Sequence, residues 1–195
     1  MTDALIPLGD GHTELSEDDR RGLIPTYIAT RGELFEAEQR NITEGVRGRH
    51  PTSVKLVDDK YLRELHRAMF DKVWKWAGKY RRRETNIGID VADISVAVLE
   101  LVRDVNTWVE SDAFGPDELA IRFHHRLVAI HPFPNGNGRH GRIASDLLVT
   151  ALDETPFTWG AGLPASTDEL RQRYIAALRR SDEGNIAELI EFARS

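Results

Sequence analysis

The sequence HPFPNGNGRHGR, residues 131–142, decides how the rest of the chain is interpreted. It follows an apolar helical pattern that ends at Ile130, and Pro132 and Pro134 cannot continue that helix. After the glycines, apolar residues resume helical spacing at Ile143, Ala144, Leu147, Leu148 and Ala151. The stretch is therefore predicted to be a loop whose two ends are fixed by helices.

The polar residues of this loop predict an anion site. Gly136 and Gly138 allow the backbone to approach a ligand closely, and the N–H groups of a glycine-rich loop entering a helix converge where the helix dipole favours negative charge. Arg139 and Arg142, three residues apart, can present forked donors to the same point. His131 at the rim can exchange a proton near neutral pH. Together these groups suit a phosphate.

Two other interpretations of the loop are less favourable. A loop that only caps and turns would not need an Asn, two Arg and a His together. A zinc site is suggested by His124, His125, His131 and His140, but adjacent His124 and His125 point in different directions on a helix. No pair has the i, i+4 spacing of a zinc helix with a partnering Glu.

Elsewhere the chain shows mostly helical patterns, so the predicted fold class is all-α. A capping box at Thr30 and Glu33 opens a helix that would end at Gly45. Further helices are expected over residues 58–77, from Ile94 to Trp108, from Gly115 to Ile130, and over residues 167–180 and 185–193. The segment KYRRRETNIGID, residues 79–90, is the only convincing β signal and predicts a short two-stranded hairpin.

Composition limits the classes of protein to consider. The chain has 195 residues, 41% of them hydrophobic, which is enough for a buried core. It has no Cys, which excludes disulfides and thiolate chemistry. A net charge of −6 argues against broad nucleic-acid binding. The acidic N-terminal sequence does not resemble a signal peptide, and no apolar run approaches the ~20 residues of a membrane span. A cytoplasmic protein without membrane contact is expected.

The stretch at residues 131–142 resembles the signature of the Fic family, HxFx(D/E)GNGRxxR, at nearly every defined position. The sequence WAGKYRRRETNIG, from Trp76, is similar to the helix end and hairpin flap of Fic domains, and the later helices follow the family's order. The resemblance covers residues 54–195, leaving residues 1–53 as an N-terminal helical extension. The sequence ELFEAEQRNI also resembles the small subfamily called mobile mystery protein B.

The resemblance implies an α-helical bundle that acts as a protein adenylyltransferase. Such an enzyme moves AMP from ATP to a Ser, Thr or Tyr hydroxyl of a target protein. His131 would accept the proton of that hydroxyl, and Phe133 would be the buried anchor of the loop. The target would pair by strand addition with a flap formed by Arg83, Glu84, Thr85, Asn86 and Ile87.

The resemblance also assigns the nucleotide-binding residues. Asn137 and the amides of Gly136 and Gly138 would hold the α- and β-phosphates, and Arg139 would neutralise the leaving diphosphate. Arg142 would reach the γ-phosphate.

Two departures from the family bear on this interpretation. The acidic position that holds Mg²⁺ is Asn135 here, and an amide oxygen brings no charge to a metal ion. Many Fic proteins also carry an inhibitory helix, (S/T)xxxE(G/N), whose Glu pairs with the second Arg of the motif. RNITEG supplies Glu44 and Gly45, but Arg40 stands where Ser or Thr is expected. Glu44 is therefore either an inhibitory residue paired with Arg142 or part of an ordinary helix end.

Two functions stay open at this point. One is an adenylyltransferase restrained by its N-terminal helix, with ATP as co-substrate and Mg²⁺ as metal. The other is a nucleotide-binding interaction protein with weak or no catalysis. The subfamily resemblance implies a small helix-turn-helix partner protein, so DNA contact would belong to that partner, and no direct nucleic-acid binding is expected.

Overall fold

A computed structural model describes residues 16–48 and 57–195. The boundary expected between residues 53 and 54 lies outside these residues. The described helices are α1 (Glu17–Arg20), α2 (Arg31–Val46), α3 (Asp59–Phe70), α4 (Ile94–Glu110), α5 (Pro116–Ile130), α6 (Asn137–Ala151), α7 (Thr167–Asp182) and α8 (Ala187–Arg194), with a 3₁₀ turn at Val91–Asp93 before α4. The all-α fold class is confirmed.

Helices α5 and α6 pack against each other at the centre of the bundle. On one side α4 covers α5, and on the other α3 packs against α6 and carries α2 on its outer side. Helices α7 and α8 form a pair, and α8 also contacts α5. Buried residues of α2, such as Leu34 and Ile42, belong to the same apolar core as Leu65 and Phe123. No helix in the described ranges is both long and apolar enough to cross a membrane.

Local sequence signals fix where several helices begin. The predicted capping box at the start of α2 is present: the Thr30 side chain accepts from the Glu33 N–H, and the Glu33 carboxylate accepts from the Thr30 N–H. Pro116 is the first residue of α5, where its missing N–H costs nothing. These ends depend on neighbours in sequence, which is why the sequence alone predicted them.

Gly45 is not a helix stop, contrary to the prediction. Helix α2 runs through it to Val46. A Cβ added at Gly45 would lie 1.9 Å from the carbonyl oxygen of Ala68 on α3. The glycine is therefore explained by the close approach of two helix backbones.

Helix α3 ends at Phe70, seven residues before the predicted end at Ala77. The next backbone groups bond to the N-terminal part of the chain: the Lys72 N–H donates to the Asn41 side chain, and the Lys75 N–H donates to the carbonyl of Gly22. A single antiparallel bridge joins Leu23 to Trp74. Tertiary hydrogen bonds replace the helical ones here, although the apolar spacing continues.

The predicted β-hairpin at residues 79–90 is wrong, since this part of the described chain contains no strand. The backbone groups at its two ends bond elsewhere. The Arg81 N–H donates to the Pro132 carbonyl at 2.9 Å, and the Ile89 N–H donates to the Ile130 carbonyl at 3.5 Å. The segment is thus attached at both ends to the loop after α5. We call residues 83–87 the flap.

Candidate active site

The loop of residues 131–136 turns the chain from α5 into α6. His131 ends α5 in the left-handed conformation, with φ 55° and ψ 58°. Gly136, with φ 80°, is the residue before α6. A Cβ at Gly136 would lie 2.5 Å from the ring of Phe70. Both its φ and its surroundings therefore require glycine.

The loop is held from inside by buried polar and aromatic side chains. The Asn137 side chain accepts from the Phe133 N–H at 2.9 Å and donates to the Phe133 carbonyl at 2.8 Å. Phe133 is fully buried and stacks on His66 with ring centroids 3.7 Å apart. The His66 Nε2–H donates to the Asn135 carbonyl, and its Nδ1 accepts from the Gly78 N–H. Sequence analysis did not identify His66 as part of the site.

These contacts change the expected part played by Asn137. Its side chain, expected to hold phosphates, has both polar atoms bonded to Phe133. The residue shapes the loop, and its backbone N–H is the group that could donate to an anion at the start of α6. The first N–H groups of a helix have no partner four residues back, so Asn137, Gly138 and Arg139 present donors at the positive end of α6.

Arg139 lies beside these donors. Its Nη2 pairs with the Glu38 carboxylate of α2 at 2.8 Å, and the guanidinium lies over the ring of Phe70, 5.0 Å from its centroid. Its Nη1 is buried without a hydrogen-bond partner among the described residues. A buried donor without a partner is costly, so a bound anion would find a ready donor here. Arg142, one turn further along α6, lies over the ring of Tyr174 at 5.2 Å.

Glu38 is the acidic residue that sequence analysis missed. It is only 4% exposed, and its carboxylate accepts from the Trp74 indole N–H at 2.7 Å as well as from Arg139. A signal was present in the sequence, because Glu38 interrupts the apolar stripe formed by Leu34 and Ile42. A charge on the buried face of a helix needs a partner inside the protein.

Glu44 lies away from the site, and the expected pair between Glu44 and Arg142 is not formed. Its exposed carboxylate is paired with Lys72. In the described structure the carboxylate of α2 that reaches the motif therefore comes from Glu38, and it contacts Arg139 instead of Arg142.

His131 is buried, whereas the sequence suggested a place at the rim of the site. Burial lowers the pKa of its imidazole to about 4, a bond with the backbone of Val128 raises it, and the nearby charge of Arg81 lowers it. The side chain is therefore neutral at pH 7 and able to accept a proton. The other motif histidine, His140, donates to the Leu62 carbonyl inside the core.

The flap lies beside the loop and borders a groove of about 530 Å³. Trp76, Tyr80, Thr85 and Pro134 line this groove together with Asp18 of α1. Within the flap, Arg83 is paired with Asp18, the Glu84 carboxylate accepts from the Val91 N–H, and the Thr85 hydroxyl donates to the Ile87 carbonyl at 2.6 Å. Asn86 is exposed at the tip. The structure thus brings the predicted flap next to the loop that carries His131.

The presumed metal residue, Asn135, has a side-chain oxygen that is already bonded to the protein. Its Oδ1 accepts from the Gly136 N–H at 2.6 Å. Across residues 16–48 and 57–195, no group of three His, Asp or Glu side chains is placed to hold a metal ion. Mg²⁺ prefers carboxylates and substrate phosphates to a neutral amide that is already bonded.

Known proteins resemble this chain in sequence and in fold. Residues 56–149 match the model of the Fic/DOC family. The protein adenylyltransferase fic-1 of Caenorhabditis briggsae is 30% identical over 119 residues, which are 60% of this chain and 22% of that protein. A probable protein adenylyltransferase of Aquifex aeolicus is 36% identical over 98 residues, or 50% of this chain and 28% of the other. The matched part thus spans about a quarter of these relatives' lengths.

A solved structure gives the same fold. The crystal structure of BepC, a VirB-translocated effector protein of Bartonella tribocorum with bound AMPPNP, superposes with a TM-score of 0.67 at 18% identity. The match covers 92% of this chain and 97% of BepC. Residues 56–149 thus carry a domain that matches the Fic/DOC family.

Proposed function

We propose that this chain is a protein adenylyltransferase that transfers AMP from ATP to a Ser, Thr or Tyr hydroxyl of a target protein. The observation that carries the proposal is that a buried, neutral His131 lies at one end of the loop and the amides of α6 lie at its other end, beside an Arg139 Nη1 that has no partner among the described residues. The matching adenylyltransferases of the family support it.

In this reaction the target hydroxyl attacks the α-phosphorus of ATP, and the bond from that phosphorus to the bridging oxygen of the β-phosphate breaks. His131 accepts the hydroxyl proton as the new oxygen–phosphorus bond forms. The amides of Asn137, Gly138 and Arg139 stabilise negative charge on the phosphates, and the Arg139 guanidinium balances the charge of the diphosphate that leaves. Arg142 is placed one turn further along α6 for the γ-phosphate.

The target protein would lie along the flap, whose residues 83–85 line the groove together with Pro134. An extended target segment can add main-chain hydrogen bonds to such a segment, which would bring its hydroxyl toward His131. Mg²⁺ would enter with ATP as part of the substrate, because Asn135 offers no charge to hold it. A cytoplasmic location and a helix-turn-helix partner protein stay predictions.

We further propose that α2 restrains the activity through Glu38. The Glu38 carboxylate occupies one edge of Arg139, the guanidinium assigned to the diphosphate. A nucleotide must displace this carboxylate or bind against its charge, and either event weakens productive ATP binding. Helix α2 is thus the inhibitory element expected from the sequence, but Glu38 takes the part assigned to Glu44.

Labelled ATP tests the proposed function directly. The protein is incubated with a cell lysate and with ATP labelled on either the α- or the γ-phosphate. Adenylyl transfer moves the α-label and not the γ-label onto protein, whereas phosphoryl transfer gives the reverse. Nucleotide binding without transfer of either label would instead favour a nucleotide-binding interaction protein, the function that the bonded Asn135 amide also permits.

A further inference from the structure

Arg81 is a buried charge that the proposed reaction does not use. Its side chain is 2% exposed and lies between the flap and the loop of residues 131–136. Its own N–H donates to the Pro132 carbonyl at 2.9 Å. The backbone of Arg81 is therefore bonded to the loop independently of its side chain.

The guanidinium is surrounded mainly by backbone carbonyls. Its Nε donates to the His131 carbonyl at 2.8 Å, its Nη1 to the Arg83 carbonyl at 3.1 Å, and its Nη2 to the Ile89 carbonyl. The Glu84 carboxylate is 3.6 Å from Nη1 and is largely exposed, so it adds little. One side chain thus holds residues on both sides of the flap and the residue that carries the imidazole.

The bond from Arg81 to His131 stabilises an unfavourable backbone conformation. A non-glycine residue with φ 55° is held in a sparsely populated conformation by its surroundings. The Arg81 Nε fixes the carbonyl of this residue. The residue after the flap also lies against His131, since a Cβ added at Gly88 would lie 2.7 Å from the His131 Cβ.

We propose that Arg81 is a positioning residue that couples the flap to His131: one guanidinium holds the carbonyls of Arg83 and Ile89 and the backbone of the catalytic base. The proposal rests on the function proposed above. The target segment on the flap and the base that takes its proton then keep a fixed distance. The positive charge of Arg81 also opposes protonation of the imidazole and lowers its pKa.

The test compares Arg81→Met and Arg81→Lys with wild type. Met removes the charge and the three bonds, whereas Lys keeps the charge but cannot reach three carbonyls. Arg103→Met, which removes an exposed charge from α4, is the matched control. Four quantities are measured: hydrogen exchange of the backbone amides of residues 81 and 89, which bond to Pro132 and Ile130, the His131 titration by NMR, ATP affinity, and transfer of the α-label in self-modification.

Both Arg81 variants should speed exchange of these two amides by about tenfold or more, the factor that corresponds to 1.4 kcal/mol. Both should lower kcat for self-modification by a similar factor, while ATP affinity stays within about threefold of wild type. Only Arg81→Met should raise the His131 pKa, because it alone removes the positive charge. Arg103→Met should match wild type in all four measurements.

Unchanged exchange of the amides of residues 81 and 89 in Arg81→Lys would overturn the proposal, and so would an unmoved His131 titration in a folded Arg81→Met protein. If Arg81→Met does not fold, the exchange pattern of Arg81→Lys decides alone. If wild type transfers no label, the proposed function fails, but exchange and titration still decide the role of Arg81.

Discussion

Two arginines flank the loop that carries His131, and they are held in opposite ways. Arg81 donates from all three guanidinium nitrogens to backbone carbonyls, which cannot leave. Arg139 pairs through one nitrogen with the Glu38 carboxylate and leaves another buried nitrogen without a partner among the described residues. One guanidinium is built into the fold, and the other has a partner that another anion can replace.

This difference assigns Arg81 to positioning the loop and Arg139 to binding an anion. Carbonyl partners belong to the same backbone that Arg81 holds, so releasing them would require the flap and loop to move. A carboxylate on a neighbouring helix competes with phosphates for the same donors, because both are anions that accept charge-assisted hydrogen bonds. The Arg139 side of the site should therefore respond to nucleotide and to changes in α2, while the Arg81 side should not.

The largest effect is expected between the two arginines, at His131. His131→Ala should lower transfer of the α-label by ~10²–10⁴-fold, the usual contribution of a general base. ATP affinity should stay near the wild-type value, because the phosphate donors lie on α6. Single-turnover labelling beside calorimetric ATP titration measures both. Transfer within a few-fold of wild type would remove His131 from the mechanism.

The next largest effect is expected at Glu38, the partner of Arg139 that a phosphate can replace. Glu38→Gln should raise ATP affinity or turnover by about 10- to 150-fold, since a charge-assisted bond of roughly 1.5–3 kcal/mol no longer competes with phosphates. Gln keeps an oxygen for the Trp74 indole, so the core should stay packed. ATP titration and self-modification measure the change.

Glu44→Gln is the matched control for Glu38→Gln on the same helix. Its carboxylate pairs with Lys72 at the surface, so activity should stay within about twofold of wild type, as is usual for exposed ion pairs. Activation by Glu44→Gln without activation by Glu38→Gln would restore Glu44 as the inhibitory residue.

Acid should destabilise the folded state, because three buried histidines around the loop must then bind protons. Burial lowers the pKa of His131 and His140 to about 4 and that of His124 to about 3, against 6.5 for each in the unfolded chain. The folded state then binds fewer protons, so this stability is complete above pH 6.5 and is lost as pH falls toward 3.

Transfer should fall about tenfold per pH unit below pH 4, as the base His131 becomes protonated. Circular dichroism over the same range separates this loss from unfolding. A midpoint of activity near pH 6.5 in folded protein would show that His131 is not buried as described.

The smallest effect is expected at Asn135. Asn135→Asp should raise Mg²⁺ affinity in the presence of ATP by a few-fold, because a carboxylate adds charge beside the phosphates. The new carboxylate can still accept from the Gly136 N–H, so the loop should keep its shape. Mg²⁺ titration of label transfer measures the change, and identical curves for the two proteins would mean that residue 135 does not face the metal.

The sequence by itself determined the helical bundle, the starts of α2 and α5, and the loop with His131, Gly136, Arg139 and Arg142. These features depend on near neighbours: capping side chains, prolines that stop a helix, and apolar residues at helical spacing. The acidic residue on the apolar stripe of α2 was also visible there, but its partner was not.

The tertiary structure decided which charged side chains form ion pairs. Glu38 and Glu44 are six residues apart on α2, so at 3.6 residues per turn they lie about 120° apart around the helix, and only packing against α3 shows which one faces Arg139. Packing likewise ended α3 at Phe70 and replaced the expected hairpin with contacts through Arg81. Backbone groups bond to whatever acceptor the fold brings near, and that acceptor is often distant in sequence.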